Sequence, residues 1–77
     1  MTLGVPSTQP IDNQIRRLRF EHGEMTQEAL AKAVGITRQT VIALESSRYA
    51  PSLELAMKIA EVFGCRVDEV FFRRKDA

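Results

Sequence analysis

The apolar positions of the chain recur with a helical period along most of its length. Ile11, Ile15 and Leu18 are separated by four and three residues, so they would share one face of a helix. Gly23 follows them, and glycine commonly ends a helix. We therefore predict a first helix that begins at Ile11 and ends near Gly23.

Two short helices follow: the first of them has a start and a stop signal, and the second has a start signal but no glycine to end it. Thr26 precedes the segment QEALAKAV as an N-cap, and Gly35 is placed to end that helix in a left-handed conformation. Thr37 is the N-cap of the next segment, RQTVIALE, in which Val41 and Leu44 are the inward-facing positions. The sequence thus predicts a second and a third helix of about two turns each.

The remaining pattern predicts a fourth helix and a short fifth. Ser52 caps the segment LELAMKIAEVF, and Gly64 ends it. The apolar residues of this segment can form one continuous face: Leu53, Ala56, Ile59, Ala60 and Phe63. The segment RVDEVFF can form one helical turn and then a short extended piece. The predicted fold class is all-α, a compact bundle of four to five short helices in which a short C-terminal strand can form.

Composition indicates how the chain is divided into segments and in which compartment the protein functions. Residues 1–10 have no apolar period and contain two prolines, so we expect an N-terminal arm before a domain at 11–72 and a charged tail at 73–77. A single cysteine cannot form an internal disulfide, and neither a signal peptide nor a membrane span is visible. These features predict a cytoplasmic protein. Eleven basic and ten acidic residues leave a net charge of +1, which does not by itself indicate a nucleic-acid partner.

The second and third helices carry the functional signal. Only Gly35, Ile36 and the cap Thr37 join them, and so tight a turn makes two short helices cross steeply. Ala29 and Ala33 would allow the second helix to pack closely against its neighbours. This arrangement predicts a helix-turn-helix.

The outward face of the third helix then presents Arg38, Gln39 and Ala43. In the major groove, arginine can bond guanine, glutamine can bond adenine, and alanine can contact a thymine methyl group. Gln27 begins the second helix, where its side chain and the helix N-terminus can together hold a phosphate. The sequence therefore predicts double-stranded DNA as the partner.

The segment MTQEALAKAVGITRQTVIALESSRYAPSLELAMKIAEVF resembles the Cro/CI-type helix-turn-helix of the XRE family of bacterial and phage regulators. The resemblance extends roughly from Ile15 to Phe71, and it implies a bundle of about five helices with the third as the recognition helix. It further implies that Gln39 reads bases, with Arg38 and Ala43 at positions that face bases or phosphates. The residues that it places at the DNA backbone are Gln27, Thr37, Thr40, Ser46, Ser47 and Arg48.

The resemblance also implies a salt bridge between Arg19 and Glu45, which would tie the first helix to the recognition helix. The chain departs from the family at Ser47, where a glycine is usual, and at Ala43, where many members have a larger polar residue. If Ser47 is left-handed as that glycine would be, it carries strain, and Ser47→Gly should stabilise the fold.

The C-terminal apolar residues exceed what a short fifth helix can bury. Val70, Phe71 and Phe72 could therefore form a two-fold interface between protomers, or they could complete the core of the monomer. We predict a homodimer, with the monomer-core alternative left open.

The predicted function is sequence-specific DNA binding by a transcriptional regulator, most simply a repressor that recognises a pseudo-palindromic operator. The alternatives are an antitoxin or adaptor that binds a partner protein and regulates its own synthesis, and a purely structural bundle. One histidine and one cysteine cannot make a nucleophile set or a metal site, so the sequence predicts no enzyme, no metal and no cofactor.

Overall fold

The computed structural model describes residues 11–73, which form five helices and two short strands. The predicted arm at 1–10 lies outside the described residues, as do residues 74–77 of the predicted tail. The elements in chain order are β1 Ile11–Asn13, α1 Ile15–Glu21, α2 Gln27–Val34, α3 Arg38–Glu45, α4 Leu53–Phe63, α5 Val67–Val70 and β2 Phe71–Arg73.

The predicted start of the first helix at Ile11 is wrong. Ile11 lies in β1, and α1 begins at Ile15. The side-chain oxygen of Asn13 accepts a hydrogen bond from the backbone N–H of Ile15 at 3.1 Å, which is a local contact that starts a helix and interrupts the one predicted. Ile11 still packs against the core from the strand, so a buried position four residues before Ile15 does not by itself require a helix.

The two strands make the fold mostly helical rather than all-α. β1 and β2 pair antiparallel, and β2 is the extended piece that the sequence predicts after α5. We call this two-stranded sheet the terminal ribbon. Its register pairs Ile11 with Arg73, Asp12 with Phe72 and Asn13 with Phe71.

The start signals of the three central helices and the stop signals of α2 and α4 are confirmed. The hydroxyls of Thr26, Thr37 and Ser52 each accept a hydrogen bond from a backbone N–H in the first turn of the helix that follows. Gly35 ends α2 and Gly64 ends α4, both in the left-handed conformation. These local contacts satisfy backbone groups that a helix end leaves without intrahelical partners.

The core lies between all five helices, and its fully buried side chains are Ile15, Leu30, Leu44, Ile59, Val41 and Val70. The predicted faces of two helices need correction. On α4, Leu53 is 72% exposed, and Leu55 is buried instead. On α2, Ala31 is the small buried residue, while Ala29 and Ala33 are exposed.

One carboxylate at the end of α3 connects three helices. Arg19 of α1 donates from Nε to Glu45 Oε2 at 2.6 Å and from Nη2 to Oε1 at 3.2 Å. Gln27, the first residue of α2, donates from Nε2 to the same Oε1 at 3.1 Å. The Arg19 and Glu45 side chains are only 15% and 11% exposed, and Arg19 Nη1 also donates to the Met25 carbonyl at 2.7 Å. The predicted pair is therefore in direct contact, and Gln27 shares it.

The end of α3 is closed by Ser47, which has a φ of 62°. Its N–H donates to the Leu44 carbonyl and the N–H of Arg48 donates to the Ala43 carbonyl, both at 3.0 Å, which is the Schellman pattern. Glycine is usual at this position because it adopts a positive φ without strain. Here the Ser47 hydroxyl donates to Asp12 Oδ1 at 3.2 Å, a bond that glycine could not make.

Glu45→Ala should destabilise the fold strongly, because it leaves the Arg19 guanidinium nearly buried without its carboxylate. We expect the free energy of unfolding to fall by about 3 kcal/mol, the low end for a broken buried pair, since both side chains retain some exposure. Chemical denaturation measures the change. The matched control is Glu54→Ala, which removes an 81% exposed carboxylate 3.7 Å from Lys58 and should cost about 0.5 kcal/mol or less. Equal losses for the two variants would contradict a structural role for Glu45.

The two small replacements at Ser47 should separate strain from hydrogen bonding. Ser47→Gly relieves roughly 1–2 kcal/mol of left-handed strain but loses a bond worth about 0.5–1.5 kcal/mol and orders a more flexible residue. We therefore expect little change in the free energy of unfolding, in place of the stabilisation that the sequence alone suggests. Ser47→Ala keeps the strain and loses the bond, so it should lower that free energy by about 1 kcal/mol in urea denaturation. A clear stabilisation by Ser47→Gly would show that the strain outweighs the hydrogen bond, and an unchanged stability for Ser47→Ala would show that the bond contributes nothing.

Candidate nucleic-acid interface

The turn between α2 and α3 is held from within α2. The N–H groups of Gly35 and Ile36 both donate to the Ala31 carbonyl, at 2.9 and 3.0 Å. Thr37 then caps α3 directly, so three residues separate the two helices. Val34 of α2 and Val41 of α3 are buried in the same cluster. The predicted helix-turn-helix is therefore present, with α3 as its second helix.

The first turn of α3 exposes the predicted base-reading side chains. Arg38 and Gln39 are exposed, and Ala43 is half-buried one turn further on. Two adjoining surface depressions share Gln39 and Ala43 as lining residues. The structure thus brings Gln39 and Ala43 together on one surface of α3, where an amide and a methyl group lie side by side.

Thr37 and Thr40 form a pair at the start of α3. Thr37 Oγ1 accepts the Thr40 N–H at 3.1 Å, and the two hydroxyls lie 2.9 Å apart. One hydroxyl hydrogen is used between them, which leaves the second available to a phosphate oxygen. Thr40 lines the same depression as Gln39 and Ala43. The pair therefore caps the helix and still offers one donor beside the base-reading surface.

Gln27 is fixed rather than free in solvent. Its side-chain amide donates one hydrogen to Glu45, and an amide nitrogen carries two. The second hydrogen and the first-turn N–H groups of α2 are suitable donors to a phosphate. Glu45 thereby sets the direction in which Gln27 can present its remaining donor.

The loop after α3 holds the other predicted phosphate contacts in a defined shape. Ser46 Oγ donates to the Ala43 carbonyl at 3.1 Å, and Arg48 Nε donates to Ser46 Oγ at 3.1 Å. The Arg48 guanidinium is therefore folded back toward the end of α3. Arg48 lines the depression that contains Gln39, Ile42 and Ala43. We call residues Ser46, Ser47 and Arg48 the cap loop.

Sequence reasoning missed Tyr49 as a member of this surface. Tyr49 is 47% exposed and lines the depression with Thr37, Gln39 and Thr40, although it lies outside α3. Its phenol can both donate and accept hydrogen bonds. The available signal was its place directly after Arg48, in a short loop that returns beside the recognition helix. Ile42 lines the adjoining depression.

The three residues predicted for a dimer interface have different environments. Val70 is fully buried and Phe71 is 9% exposed, and both belong to the core of the described chain. Phe72 is 39% exposed. For Val70 and Phe71 the structure thus provides the monomer-core environment, and Phe72 is the member of the three that can present apolar area to a second protomer.

The single histidine and the single cysteine each interact with neighbouring residues of the fold. The His22 ring packs on Phe63, with ring centroids 5.2 Å apart, and its Nδ1 lies 2.9 Å from the Leu18 carbonyl. Burial raises the pKa of the Cys65 thiol, and the Glu69 carboxylate raises it further. No group of three His, Cys, Asp or Glu side chains within residues 11–73 could hold a metal ion.

None of the helices that the structure describes is long and apolar enough to cross a membrane.

Comparison with solved structures finds the same fold at low sequence identity. The crystal structure of the transcriptional regulator VanUg superposes with a TM-score of 0.74 at 16% identity, covering 99% of this chain and 100% of that one. A transcriptional regulator from Listeria innocua gives a TM-score of 0.68 at 23% identity, covering 86% of this chain and 64% of that one. At these identities the likeness shows the fold alone.

Comparison of sequences identifies the family. A family model described as helix-turn-helix matches residues 15–70. An uncharacterized HTH-type transcriptional regulator of Methanocaldococcus jannaschii is 45% identical over 64 residues, covering 83% of this chain and 96% of that protein. Another, from Archaeoglobus fulgidus, is 52% identical over 58 residues, covering 75% of this chain and 81% of that one.

A more distant relative is the cryptic phage CTXphi transcriptional repressor RstR of Vibrio cholerae. It is 33% identical over 58 residues, and the match covers 75% of this chain and 51% of RstR. The helix-turn-helix geometry, the family model and the near full-length relatives agree. The chain belongs to the Cro/CI-type (XRE) helix-turn-helix family of DNA-binding transcriptional regulators.

Proposed function

We propose that this DNA-binding regulator is a repressor that acts in the cytoplasm and binds a pseudo-palindromic operator as a homodimer. The observation that carries the proposal is the surface of α3 on which Gln39 and Ala43 lie together, bordered by Arg48 and the Thr37–Thr40 pair. The similarity to RstR, which is named a repressor, supports the direction of regulation.

Base reading is assigned to three side chains of α3. Gln39 can bond the N6 and N7 edge of an adenine, and Arg38 can bond guanine O6 and N7. Ala43, half-buried on the same surface, can contact a thymine methyl group. The Gln39 amide and the Ala43 methyl group thus favour adenine and thymine at the positions that they reach.

Backbone contacts are assigned to the elements on either side of α3. Gln27 offers its second amide hydrogen, the Thr37–Thr40 pair offers one hydroxyl, and the cap loop offers the Arg48 guanidinium. The Ser46 and Ser47 hydroxyls donate to the Ala43 carbonyl and to Asp12, so these two serines shape the loop around Arg48. These contacts would fix the register of α3 in the groove and leave sequence discrimination to the side chains that face the bases.

The dimer is assigned to the exposed Phe72 side chain of the terminal ribbon. Two protomers related by a two-fold axis there would place their α3 helices in successive major grooves, roughly 34–36 Å apart. A bound dimer would then block access to the promoter by occupancy. Control would come from protein concentration or from a partner protein.

The antitoxin or adaptor function is the second candidate. Leu53 and Met57 lie one turn apart on α4 and are 72% and 50% exposed, so the helix presents apolar area to solvent. Co-expression with the product of an adjacent gene, followed by size-exclusion chromatography, tests this candidate. A stable hetero-complex that Leu53→Asp abolishes would favour it over a stand-alone repressor.

Gln39→Ala and Arg48→Ala should have different effects on DNA binding. The first should relax specificity and cost about 1–3 kcal/mol at one base pair, because it removes a base contact. The second should weaken binding to all sequences by a similar factor and reduce the salt slope by about 1, because it removes a phosphate contact. Binding to a selected operator and to its single-base variants measures both effects. Lys58→Ala, which removes the same charge from α4, is the control for Arg48. Equal loss on every sequence for Gln39→Ala would refute its role as a base reader.

Phe72→Asp should shift the dimer toward monomer in sedimentation, because it places a charge in an apolar contact. The register also puts it opposite Asp12, where two carboxylates would repel each other and weaken the ribbon. Phe72→Lys is therefore the better variant, since it charges the same face and places an opposite charge beside Asp12. Phe20→Lys, at a 63% exposed position on α1, is the control. An unchanged sedimentation mass for Phe72→Lys would refute the interface.

A further inference from the structure

The terminal ribbon contacts the end of the recognition helix through two adjacent residues of β1. Asn13 Nδ2 donates to the Leu44 carbonyl at 2.7 Å, and Asp12 Oδ1 accepts from the Ser47 hydroxyl at 3.2 Å. The same Asp12 oxygen accepts the backbone N–H of Asn13 at 2.8 Å. These contacts join segments more than thirty residues apart in the chain, so they are tertiary interactions of the fold.

The two contacts reach the groups that determine the shape of the cap loop. The Leu44 carbonyl, held by Asn13, also accepts the N–H of Ser47, while Asp12 holds the Ser47 side chain itself. Ser47 is the left-handed residue, and a serine leaves that conformation more readily than glycine would. A change at Ser47 would move Arg48, whose N–H bond to Ala43 belongs to the same motif.

β1 is itself held firmly at the next residue. The Gln14 N–H donates to the Val70 carbonyl at 2.9 Å, and its side-chain amide donates to the Glu69 carbonyl at 3.1 Å. The ribbon pairing adds the backbone bonds of β1 to β2. Asp12 and Asn13 therefore extend from an anchored segment to the cap loop. An anchored segment is needed if these two residues are to hold the loop in place.

We propose that Asp12 and Asn13 are positioning residues for DNA binding: they hold the cap loop in the geometry that presents Arg48 and its neighbours to a phosphate. Only the last step, in which Arg48 and its neighbours contact a phosphate, rests on the proposed function. The hydrogen bonds of Ser47 and Leu44 exist without DNA, so the support can be tested separately from its effect on affinity. The serine that replaces the usual glycine is the residue through which the ribbon acts.

Removing Asp12 should change the affinity for DNA in opposite directions under two explanations, charge repulsion of DNA or support of the cap loop. A carboxylate beside a phosphate-contact loop repels DNA, so its removal should tighten binding if charge alone matters. If Asp12 instead holds Ser47 in place, its removal should weaken binding. Asp68→Ala removes the same formal charge from an exposed side chain on α5, paired there with Arg66, and measures the effect of net charge on binding.

The binding experiment measures the affinity of the full chain for a selected operator by fluorescence anisotropy at fixed salt, well below the melting temperature. We expect Asp12→Ala to bind roughly tenfold more weakly, a change of about 1.4 kcal/mol. Asp68→Ala should bind as tightly as the parent chain or more so. Asp12→Asn keeps an acceptor oxygen and should restore most of the affinity. Ser47→Ala should weaken binding like Asp12→Ala, and the double variant should be little worse than either single variant.

Amide hydrogen exchange provides a readout that general destabilisation would not reproduce. In Asp12→Ala, the amides of Ser47 and Arg48 should exchange roughly tenfold faster, whereas the amide of Ile59 in the core of α4 should accelerate no more than the loss of global stability measured for the same variant requires. Equal acceleration at all three would mean a global loss of stability.

Each outcome decides a separate claim. If Asp12→Ala binds as tightly as Asp68→Ala, or if its effect adds fully to that of Ser47→Ala, the positioning role is overturned. If the exchange of Ser47 and Arg48 is unchanged, the support itself is overturned. If the parent chain has no sequence preference, the proposed function fails, while the exchange measurement still tests the support.

Discussion

The Glu45 carboxylate is the constraint on which the arrangement of this molecule depends. It is the last residue of α3, and it accepts hydrogen bonds from Arg19 of α1 and from Gln27 at the start of α2. A short helix of eight residues has little intrinsic stability, so its direction must come from tertiary contacts. Buried apolar residues supply most of the stabilisation, but apolar contact is not directional. The charged bonds at Glu45 fix which way α3 points and place Gln27 beside it.

The helices and turns of the central region could be predicted from the sequence because their signals are local. Thr26, Thr37 and Ser52 cap helices through contacts within three residues, and Gly35 and Gly64 adopt the left-handed conformation that ends them. Such contacts depend on neighbours in the chain and need no knowledge of the fold. The spacing of the two helices around Gly35 was therefore enough to predict the helix-turn-helix, and the resemblance added the pairing of Arg19 with Glu45.

The parts that the sequence could not predict depend on contacts between distant segments. A three-residue strand is too short to show an alternating pattern, so Ile11 fitted a helical spacing while its partner Arg73 was sixty residues away in β2. Leu53 fitted the apolar face of α4 but lies at its exposed first turn, and Leu55 packs instead. For the candidate site, the shared hydrogen bond of Gln27 and the bond from Ser47 to Asp12 both join residues far apart in the chain. No local pattern records such pairs.

The nearly neutral net charge of the chain explains why the position of each proposed DNA-contacting side chain matters. With a net charge of only +1, the molecule has little long-range attraction for DNA. Of the residues assigned to the DNA backbone, Arg48 is the one that carries a charge, and the others are neutral amides and hydroxyls. A neutral donor releases no counterion and acts only within hydrogen-bond distance, so its contribution depends on where it is held. Gln27 is held by Glu45 and Thr37 by the cap of α3, while Asp12 holds Ser47 and with it the loop that carries Arg48. For the proposed contacts, we therefore expect affinity to depend on how rigidly the fold holds the neutral donors as well as on the charge of Arg48.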